Sequence, residues 1–288
     1  MDREAARERN AKGITVMSRT PDYERDGITL YCGDNVEVMD ELDAESIDLV
    51  VTSPPYDNLR SYSAGKPMSE LWDFEGVAAG LKRLLKPGGV IVWVVNDATV
   101  NGSETGTSFR QALHFMDIGL RLHDTMIWNK GCFTGVGSVQ CRYGPSTEFM
   151  FILSQGKVAT FNAIKDRRNI QCGTIGKADT VRLPSGEMLH KTHQGKVLDE
   201  FGIRFNVWDI TPEMSNTNRF HPGQFPEALA RDHILSWSNE GDTVLDCFSG
   251  SGTTIKMARE TGRKGIGIEI NPEYCEITRK RLSQRILF

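Results

Sequence analysis

The sequence lacks several features that define whole classes of protein. No apolar run approaches the roughly 20 residues that a helix needs to cross a bilayer, so we predict no membrane segment. The opening stretch "MDREAARERNAKG" is charged and carries no apolar core, which predicts no secretory signal. The six cysteines form no C-x-x-C pair and no Cys/His cluster. We therefore expect reduced thiols, a cytoplasmic location and no metal site.

Charge is nearly balanced over the whole chain, yet it is unevenly distributed. There are 34 Lys and Arg against 38 Asp and Glu, so bulk charge does not indicate a nucleic-acid partner. Residues 156–220 nevertheless carry ten Lys and Arg against seven Asp and Glu. Such a basic segment is either a contact region for phosphate or a solvated loop with a chance excess, and charge alone leaves both interpretations open.

The order of predicted elements indicates an α/β fold. The alternating stretch "ITLYCGD" predicts a strand that runs into a loop, and "SIDLVV" and "VIVWVV" predict buried strands, with apolar residues on both faces of the first as in a parallel sheet. Further strand candidates are "LHDTMIW" and "TEFMFILS". Helices are predicted at "NVEVMDEL", with Asn35 as the N-cap, and at "FEGVAAGLKRLLKPGG", with Pro87-Gly88-Gly89 as the stop. The last stretch reads strand, glycine-rich turn, helix, strand, helix. This order predicts a mostly parallel twisted sheet with helices on both faces.

The pattern decays between Gln155 and about Asn218, where Gly, Lys, Arg, Asn and Thr replace periodic apolar residues. A stretch of this length without regular structure is uncommon inside a compact domain and is often functional. We therefore predict a small insert or subdomain with some strand. A helix opened by a proline, within "HPGQFPEALARDHILSWS", then resumes the main fold.

A glycine-rich turn and two acids indicate a ligand site. In "LDCFSGSGTT" a strand runs through Gly250-Ser251-Gly252 into a helix, and glycines there let the backbone approach a ligand closely. Glu269 ends the next strand 19 residues after Gly250, a spacing that suits a ribose diol, and Asp34 ends an earlier strand. A turn without ligand and a simple capping aspartate are the structural alternatives. The turn is not G-x-G-x-x-G and has no P-loop lysine, which argues against a triphosphate.

A second motif, "TSPPY", directly follows the buried strand "IDLVV". Its prolines fix φ and have no N–H, so they end the strand and stiffen the turn. The motif is either a rigid turn with Tyr56 packed in the core or a site that offers a hydroxyl, a carbonyl and an aromatic ring to a substrate.

Together these blocks resemble the amino-methyltransferases of DNA, in the permuted order called class beta, where the catalytic motif precedes the cofactor motif. "DCFSGSGTT" resembles their S-adenosylmethionine motif, and "TSPPY" resembles their catalytic tetrapeptide. "HPGQFP" resembles the segment that closes over the methionine end of the cofactor, while "KPGG", "IWNKG" and "TEFMFILSQG" fit the intervening blocks. The resemblance covers residues 28–155 and 219–285. It implies a Rossmann-like methyltransferase fold with circularly permuted motifs and a small target recognition insert.

The resemblance also implies a division of the chain and a set of cofactor contacts. The catalytic half spans 28–155, the target recognition region 156–218 and the cofactor-binding half 219–288, while residues 1–27 form an extension that the family pattern does not explain. The implied cofactor is S-adenosylmethionine, with Asp34 near its adenine and Glu269 at its ribose. The other implied contacts are Gln224, Phe225 and Pro226 at the methionine end, and Asp246, Phe248, Gly250, Ser251, Gly252, Thr253 and Thr254 around the turn.

Catalysis and DNA binding are likewise assigned by the resemblance. The implied catalytic residues are Ser53, Pro54, Pro55 and Tyr56. The resemblance implies double-stranded DNA as the partner, and it allows a homodimer and a cognate restriction endonuclease. The candidate DNA-contacting residues are Lys165, Arg167, Arg168, Lys177, Arg182, Lys191 and Lys196.

The motifs leave open which base is methylated, cytosine at N4 or adenine at N6. Ser before the two prolines usually goes with cytosine N4 in this family, whereas adenine-specific members of the class usually have Asp there. We therefore expect a cytosine-N4 methyltransferase, with adenine N6 as the alternative. Protein and RNA amino-methyltransferases usually carry N-P-P-Y after the cofactor motif, the reverse of this order. A non-catalytic binding protein is the last alternative, and two intact motifs argue against it.

Overall fold

The computed structural model describes residues 19–55, 72–132, 142–175, 179–191, 197–212 and 225–283. The chain divides into two compact units, of which one comprises Met1–Asn162 with Val207–Phe288 and the other Ala163–Asn206. Within the described ranges, no helix combines the length and the apolar character of a membrane span.

One large sheet organises the first unit. In the described residues it has nine strands in the order β1-β2-β15-β14-β3-β4-β8-β7-β13. Only β1 and β8 run antiparallel to their neighbours, which confirms the predicted mostly parallel sheet. The strands are β1 Tyr23–Arg25, β2 Ile28–Cys32, β3 Ile47–Thr52, β4 Leu85–Val95, β7 Arg121–Asn129, β8 Thr147–Ser154, β13 Val207–Asp209, β14 Thr243–Asp246 and β15 Lys264–Glu269. A separate pair, β5 Thr99–Val100 and β6 Ser103–Glu104, forms a short hairpin.

Helices cover both faces of this sheet, as predicted. Successive residues of a strand point to opposite faces. Tyr31 of β2 accordingly packs in the cluster that α1, α2 and α3 supply, whereas the neighbouring Leu30 packs with Ile255 of α5 and Leu282 of α6. The helices are α1 Asn35–Glu41, α2 Phe74–Leu84, α3 Thr107–Asp117, α4 Glu227–Trp237, α5 Thr253–Glu260 and α6 Pro272–Ser283.

Helix α2 ends earlier than the sequence predicts. Leu84 is its last residue, and Leu85 already has extended dihedral angles and begins β4. Because the residue before a proline avoids helical dihedral angles, the restriction that Pro87 imposes begins at Lys86. The helix therefore stops upstream of Pro87-Gly88-Gly89.

The direction of the chain connections reverses between β3 and β14. From β3 the chain passes through α2 to β4 on one side, and from β14 it passes through α5 to β15 on the other side. In open α/β sheets, ligands bind outside the carboxyl ends of the strands at such a reversal. The fold therefore predicts a ligand site at the residues that directly follow Thr52 and Asp246.

The second unit contains two antiparallel strand pairs. Strand β9 (Lys165–Arg168) pairs with β12 (Phe201–Ile203), and β10 (Asp179–Arg182) pairs with β11 (Met188–Lys191). This agrees with the predicted small subdomain with some strand. Strand β13, which also lies in the range 156–218, joins the large sheet instead. The interpretation of 156–218 as a target recognition region stays a prediction.

A buried ion pair joins the ends of two strands at the carboxyl edge. Lys130, which follows β7, places Nζ 3.0 Å from Oε1 of Glu148 in β8, and each side chain is 8% exposed. The ammonium group also lies 5.9 Å from the centre of the Trp128 ring. Removing one partner of a buried pair leaves an uncompensated charge, whereas replacing both by apolar groups is often close to neutral.

We expect Lys130→Met to lower the free energy of unfolding by about 3–5 kcal/mol, because it removes one partner of a buried ion pair. The double variant Lys130→Met/Glu148→Leu should recover most of that loss. Urea denaturation measures both effects. Lys280→Met, in an exposed pair with Glu276, is the matched control and should change stability by no more than about 1 kcal/mol. Equal losses for the two lysine variants would contradict this account of the buried pair.

Candidate active site

The segment Ser53-Pro54-Pro55 lies at the carboxyl end of β3, as predicted. Thr52 is the last residue of the strand, is fully buried and pairs in register with Trp93 of β4. Pro54 is buried, and Ser53 and Pro55 are half-buried. Tyr56 lies outside the described residues, so its assignment to the core or to a substrate surface stays a prediction. The described part of the motif is thus held at the chain reversal.

Two hydrogen bonds join the last two residues of β3, which directly precede this segment, to the residues on either side of the glycine-rich turn. Thr52 Oγ1 donates to Oδ1 of Asp246 over 2.7 Å, and Thr254 Oγ1 donates to the carbonyl of Val51 over 3.1 Å. These pairs are 194 and 203 residues apart in the sequence. The two motifs that the sequence places at opposite ends of the chain therefore form one cluster.

Asp246 is a buried carboxylate with neutral partners. It is 2% exposed, and Oδ1 accepts from Thr52 Oγ1 and from the backbone N–H of Phe248. Burial raises the pKa of Asp246 to about 6, while hydrogen bonds from Thr52, Thr254 and Phe248 oppose that rise. No salt bridge to Asp246 occurs among the residues that the structure describes. A buried acid that has neutral partners and a raised pKa is a candidate for a ligand-binding residue, and its contact with the cofactor stays a prediction.

The glycine turn approaches helix α6 so closely that a side chain would not fit. Gly252 precedes α5 with φ of +79°, a conformation that other residues rarely adopt. A Cβ on Gly252 would lie 2.5 Å from the methyl group of Thr278. Thr278 Oγ1 also donates to the carbonyl of Gly250 over 3.0 Å. Helix α6 therefore fixes the side of the turn that faces the protein interior.

Glu269 closes the opposite side of the turn. Its Oε2 accepts from the backbone N–H of Gly250 and its Oε1 from that of Asn271, both over 2.8 Å. Burial raises the pKa of Glu269, and these backbone hydrogen bonds oppose the shift. The backbone N–H of Ile270 is a further donor to this carboxylate, and its placement at a ribose stays a prediction. The predicted spacing of 19 residues thus corresponds to a direct hydrogen bond.

Asp34 caps α1, and the prediction of Asn35 as the cap is wrong. Oδ1 of Asp34 accepts from the backbone N–H groups of Val36 and Glu37. Asn35 is instead the first residue of the helix, and its Nδ2 donates to the carbonyl of Cys247 over 3.1 Å. Asp34 caps because it is the residue with extended dihedral angles between strand and helix. Its placement near an adenine stays a prediction.

Phe248 packs in an aromatic cluster that the sequence analysis missed. Its ring meets Trp72 edge to face, with centroids 5.0 Å apart, and Trp93 lies 6.3 Å away. Trp93 is anchored in turn because its Nε1 donates to Gln111. Trp72 precedes α2 and Trp93 lies in β4, so no local sequence signal connects them to the glycine turn.

Arg281 of α6 connects the glycine turn to the start of α4, and the sequence analysis missed it too. Its side chain is 8% exposed, and Nη1 donates to the carbonyl and the hydroxyl of Ser251. Its Nη2 donates over 2.9 Å to Glu227, which also accepts from Lys256. Glu227 is the first residue of α4, directly after Phe225 and Pro226. Phe225 and Pro226 are buried, while Gln224 lies outside the described residues.

The candidate DNA-contacting residues fall in the second unit. Lys165, Arg167 and Arg168 lie on β9, and Arg182 ends β10. Lys191 is the last residue of β11. Lys177 and Lys196 lie outside the described residues. The assignment of these residues to DNA stays a prediction.

Comparison with known proteins assigns the family. The family model described as DNA methylase matches residues 47–280, which is most of the chain. The chain belongs to the DNA methylase family. This confirms the resemblance that the motifs indicate, and it makes DNA the substrate.

Curated relatives of this DNA methylase include proteins of two bacteria. It is 48% identical over 248 residues to the orphan methyltransferase M.BamHII of Bacillus amyloliquefaciens, with 84% of this chain and 91% of the relative covered. It is 30% identical over 268 residues to the DNA adenine methyltransferase YhdJ of Escherichia coli K12, with 88% and 82% covered.

Solved structures of DNA methylases share the fold. The cytosine-N4-specific PvuII methyltransferase superposes with a TM-score of 0.69 at 23% identity, over 95% of this chain and 92% of that one. A modification methylase of Thermus thermophilus, solved with S-adenosylmethionine, superposes with a TM-score of 0.58 at 25% identity, over 88% and 94%. The Rossmann-like fold is thereby confirmed, and S-adenosylmethionine is the cofactor of this DNA methylase.

We expect Asp246→Asn to be more stable than the wild type at high pH. The raised pKa means that the folded protein binds this proton more tightly than the unfolded chain. In the wild type, the protonated carboxyl of Asp246 contributes its full share to the free energy of unfolding below pH 4. This contribution is lost as the pH rises through 6. Since asparagine stays neutral, the variant should gain on the wild type by on the order of 2–3 kcal/mol between pH 4 and pH 8. Urea denaturation across this range measures the gain, with the exposed Asp117→Asn as control. A difference independent of pH would contradict the assigned cause.

We expect Arg281→Gln to weaken binding of S-adenosylmethionine by about 10-fold to 100-fold, because the turn loses charge-assisted hydrogen bonds. Calorimetric titration of the purified protein measures this loss. The control is Arg279→Gln on the same helix, since Arg279 is half exposed and pairs with Glu276 instead. Unchanged affinity in the Arg281 variant would show that the turn does not depend on this contact.

Proposed function

We propose that this DNA methylase transfers a methyl group to the exocyclic N4 amine of a flipped-out cytosine at a specific site in double-stranded DNA. The observation that carries the proposal is the hydrogen bond from Thr52 to Asp246, because it holds the residue before Ser53 against the first residue of the cofactor motif. The serine at position 53 supports cytosine as the target.

The residues around the turn fit the cofactor. S-adenosylmethionine supplies a methyl group activated by a positively charged sulfur. We assign Asp246, which is buried without a cation in the described part of the chain, to the positive region of the cofactor, and Glu269 to its ribose. Asp34 lies one strand away, where the backbone N–H of Gly33 donates to the carbonyl of Glu269, and we assign it to the adenine side. The remaining cofactor contacts are Phe248, Gly250, Ser251, Gly252, Thr253, Thr254, Gln224, Phe225 and Pro226.

The catalytic work of Ser53 and Pro54 is to orient an amine. The exocyclic amine of a nucleobase is a poor nucleophile because its lone pair is delocalised into the ring. Acceptors aimed at both of its N–H bonds favour the tetrahedral form that can attack a methyl group. Ser53 Oγ supplies one acceptor and the carbonyl of Pro54 the other. Pro54 and Pro55 stiffen the turn that carries them.

Reaching that amine requires the base to leave the duplex. Unstacking one base costs a few kcal/mol. We assign Tyr56 as the surface on which the extruded base stacks, which offsets roughly 1–3 kcal/mol of that cost. The amine attacks directly and the leaving group is a neutral thioether, so the reaction needs neither a covalent adduct with the protein nor a metal.

Adenine N6 is the second candidate target. It is favoured by the likeness to YhdJ, a DNA adenine methyltransferase that is 30% identical. The likeness to the cytosine-N4-specific PvuII enzyme, at 23% identity, carries the fold but not the base. The choice of cytosine therefore depends on Ser53.

The target site is read by the segment that separates the two halves. We assign residues 28–155 to the catalytic half, 219–288 to the cofactor-binding half and 156–218 to target recognition, with 1–27 as an extension. A homodimer and a cognate restriction endonuclease remain expectations. The name of M.BamHII, an orphan methyltransferase, favours a protein that acts without a cognate nuclease.

The test is the identity and the position of the methylated base. DNA from cells that express the protein, digested to nucleosides, should contain N4-methylcytosine, and base-resolution mapping should place it at one recurring sequence. N6-methyladenine would overturn the choice of cytosine and leave the family intact. Absence of any methylated base would overturn the activity itself.

Ser53→Ala should lower kcat on the order of 100-fold with little change in the KM for S-adenosylmethionine, because it removes one oriented acceptor. The matched control is Ser46→Ala, since Ser46 lies before the opposite end of β3 and bonds to the carbonyl of Asp43. Single-turnover methylation of duplex DNA measures both variants. Native kcat in the Ser53 variant would rule out its role as an acceptor.

A further inference from the structure

The basic side chains of strand β9 differ sharply in how firmly they are held. Arg168 is 81% exposed, and its nearest carboxylate, on Glu200, is 3.9 Å away. Lys165 is exposed as well. Arg204, which follows β12, is paired with Asp166. Arg167 is half-buried, as Arg204 is, but it takes part in no salt bridge among the described residues.

Two contacts and the lack of a side chain at Gly202 fix the guanidinium group of Arg167. Its Nε donates to the carbonyl of Ile203 over 3.0 Å. Its central carbon lies 4.6 Å from the centre of the Phe205 ring, in a cation–π contact. Gly202 pairs with Arg167 across β12 and β9, and a Cβ on Gly202 would collide with Nη2. The glycine thus provides the space in which the guanidinium lies.

This arrangement leaves a defined set of donors. Because Nε is bonded to Ile203, the two terminal nitrogens, Nη1 and Nη2, are the donors that a ligand can meet. Two parallel N–H donors in a fixed plane match the O6 and N7 acceptors of guanine, the commonest base-specific contact of arginine in the major groove. Phosphate groups occur at every nucleotide and need no such fixed plane, so mobile exposed cations serve them equally well.

The surroundings of Arg167 support a base contact over a phosphate contact. Phe205 is 65% exposed, and Ile203 and Phe201 are also exposed beside it. Apolar side chains next to a phosphate would be a poor environment, whereas base edges present apolar groups such as the thymine methyl. An arginine stacked on an aromatic ring loses little side-chain entropy when it binds.

We propose that Arg167 reads a guanine in the target sequence and that Arg168 on the same strand contacts the DNA backbone. This inference rests on the proposed DNA methyltransferase function and names a determinant of its specificity. Gly202 and Phe205 act as positioning residues for Arg167.

The test compares Arg167→Ala with Arg168→Ala on a library of duplexes with randomised sites, mapped at base resolution. Arg167→Ala should relax the preference for guanine at one position by roughly 5-fold to 150-fold, while the other positions keep theirs. Arg168→Ala should keep the site, weaken binding uniformly and lower the salt dependence of log K by about one unit. Binding of S-adenosylmethionine by each variant checks that the first unit is folded.

The variant Gly202→Ala distinguishes the effect of the position of the Arg167 guanidinium group from the effect of its charge. The added methyl group would collide with Nη2 of Arg167, so it displaces the guanidinium group and retains its charge. Relaxation at the same guanine in both the Arg167 and the Gly202 variants supports the proposal. An unchanged site in either variant, or an equal loss at all sites, overturns it. Methylation by the wild-type protein tests the proposed function separately. If the wild type methylates DNA and the variants keep the same site, only the role of Arg167 is overturned.

Discussion

The hydrogen bond between Thr52 and Asp246 is the contact on which the arrangement of this site depends. It joins the carboxyl ends of two adjacent parallel strands at the point where the chain connections reverse. The bond from Thr254 to Val51 repeats the connection at the start of α5. Because both strands are buried in the sheet, the Ser53-Pro54 segment and the glycine turn have one fixed separation. A fixed separation is what the proposed methyl transfer between two bound molecules requires.

Two buried carboxylates at the same edge of the sheet show how differently a charge can be accommodated. Glu148 is paired with Lys130, so its charge is compensated within the protein. Asp246 has only neutral donors among the described residues, and burial raises its pKa to about 6. An uncompensated acid lowers stability at neutral pH, so a ligand of opposite charge is the simplest explanation for it. The contrast distinguishes a structural ion pair from the carboxylate that we propose binds the cofactor.

Positioning residues surround both functional units. Arg281 and Thr278 bind the carbonyls of the glycine turn from behind, and Glu227 extends the same network to the start of α4. In the second unit, Gly202 leaves space for the guanidinium group of Arg167, and the ring of Phe205 packs against it. In both cases a residue that we propose contacts the ligand is held in place by neighbouring residues, which reduces the entropy lost on binding.

The amino-acid sequence by itself determined the elements and the motifs, because their signals are local. Short stretches of sequence were enough to predict strand β3 and the prolines that end it. They were also enough to predict the glycine turn and its spacing to Glu269. The predicted cap of α1, Asn35, was wrong by one position, because the cap is Asp34. The position of the cap depends on where the chain leaves β2. Only the tertiary structure decided which distant residues meet. Thr52, Trp72, Arg167 and Arg281 carry no local signal for their contacts with Asp246, Phe248, Phe205 and Ser251. Those contacts arise when strand pairing and helix packing bring together residues that lie far apart in the chain, and packing of that kind is a property of the whole fold.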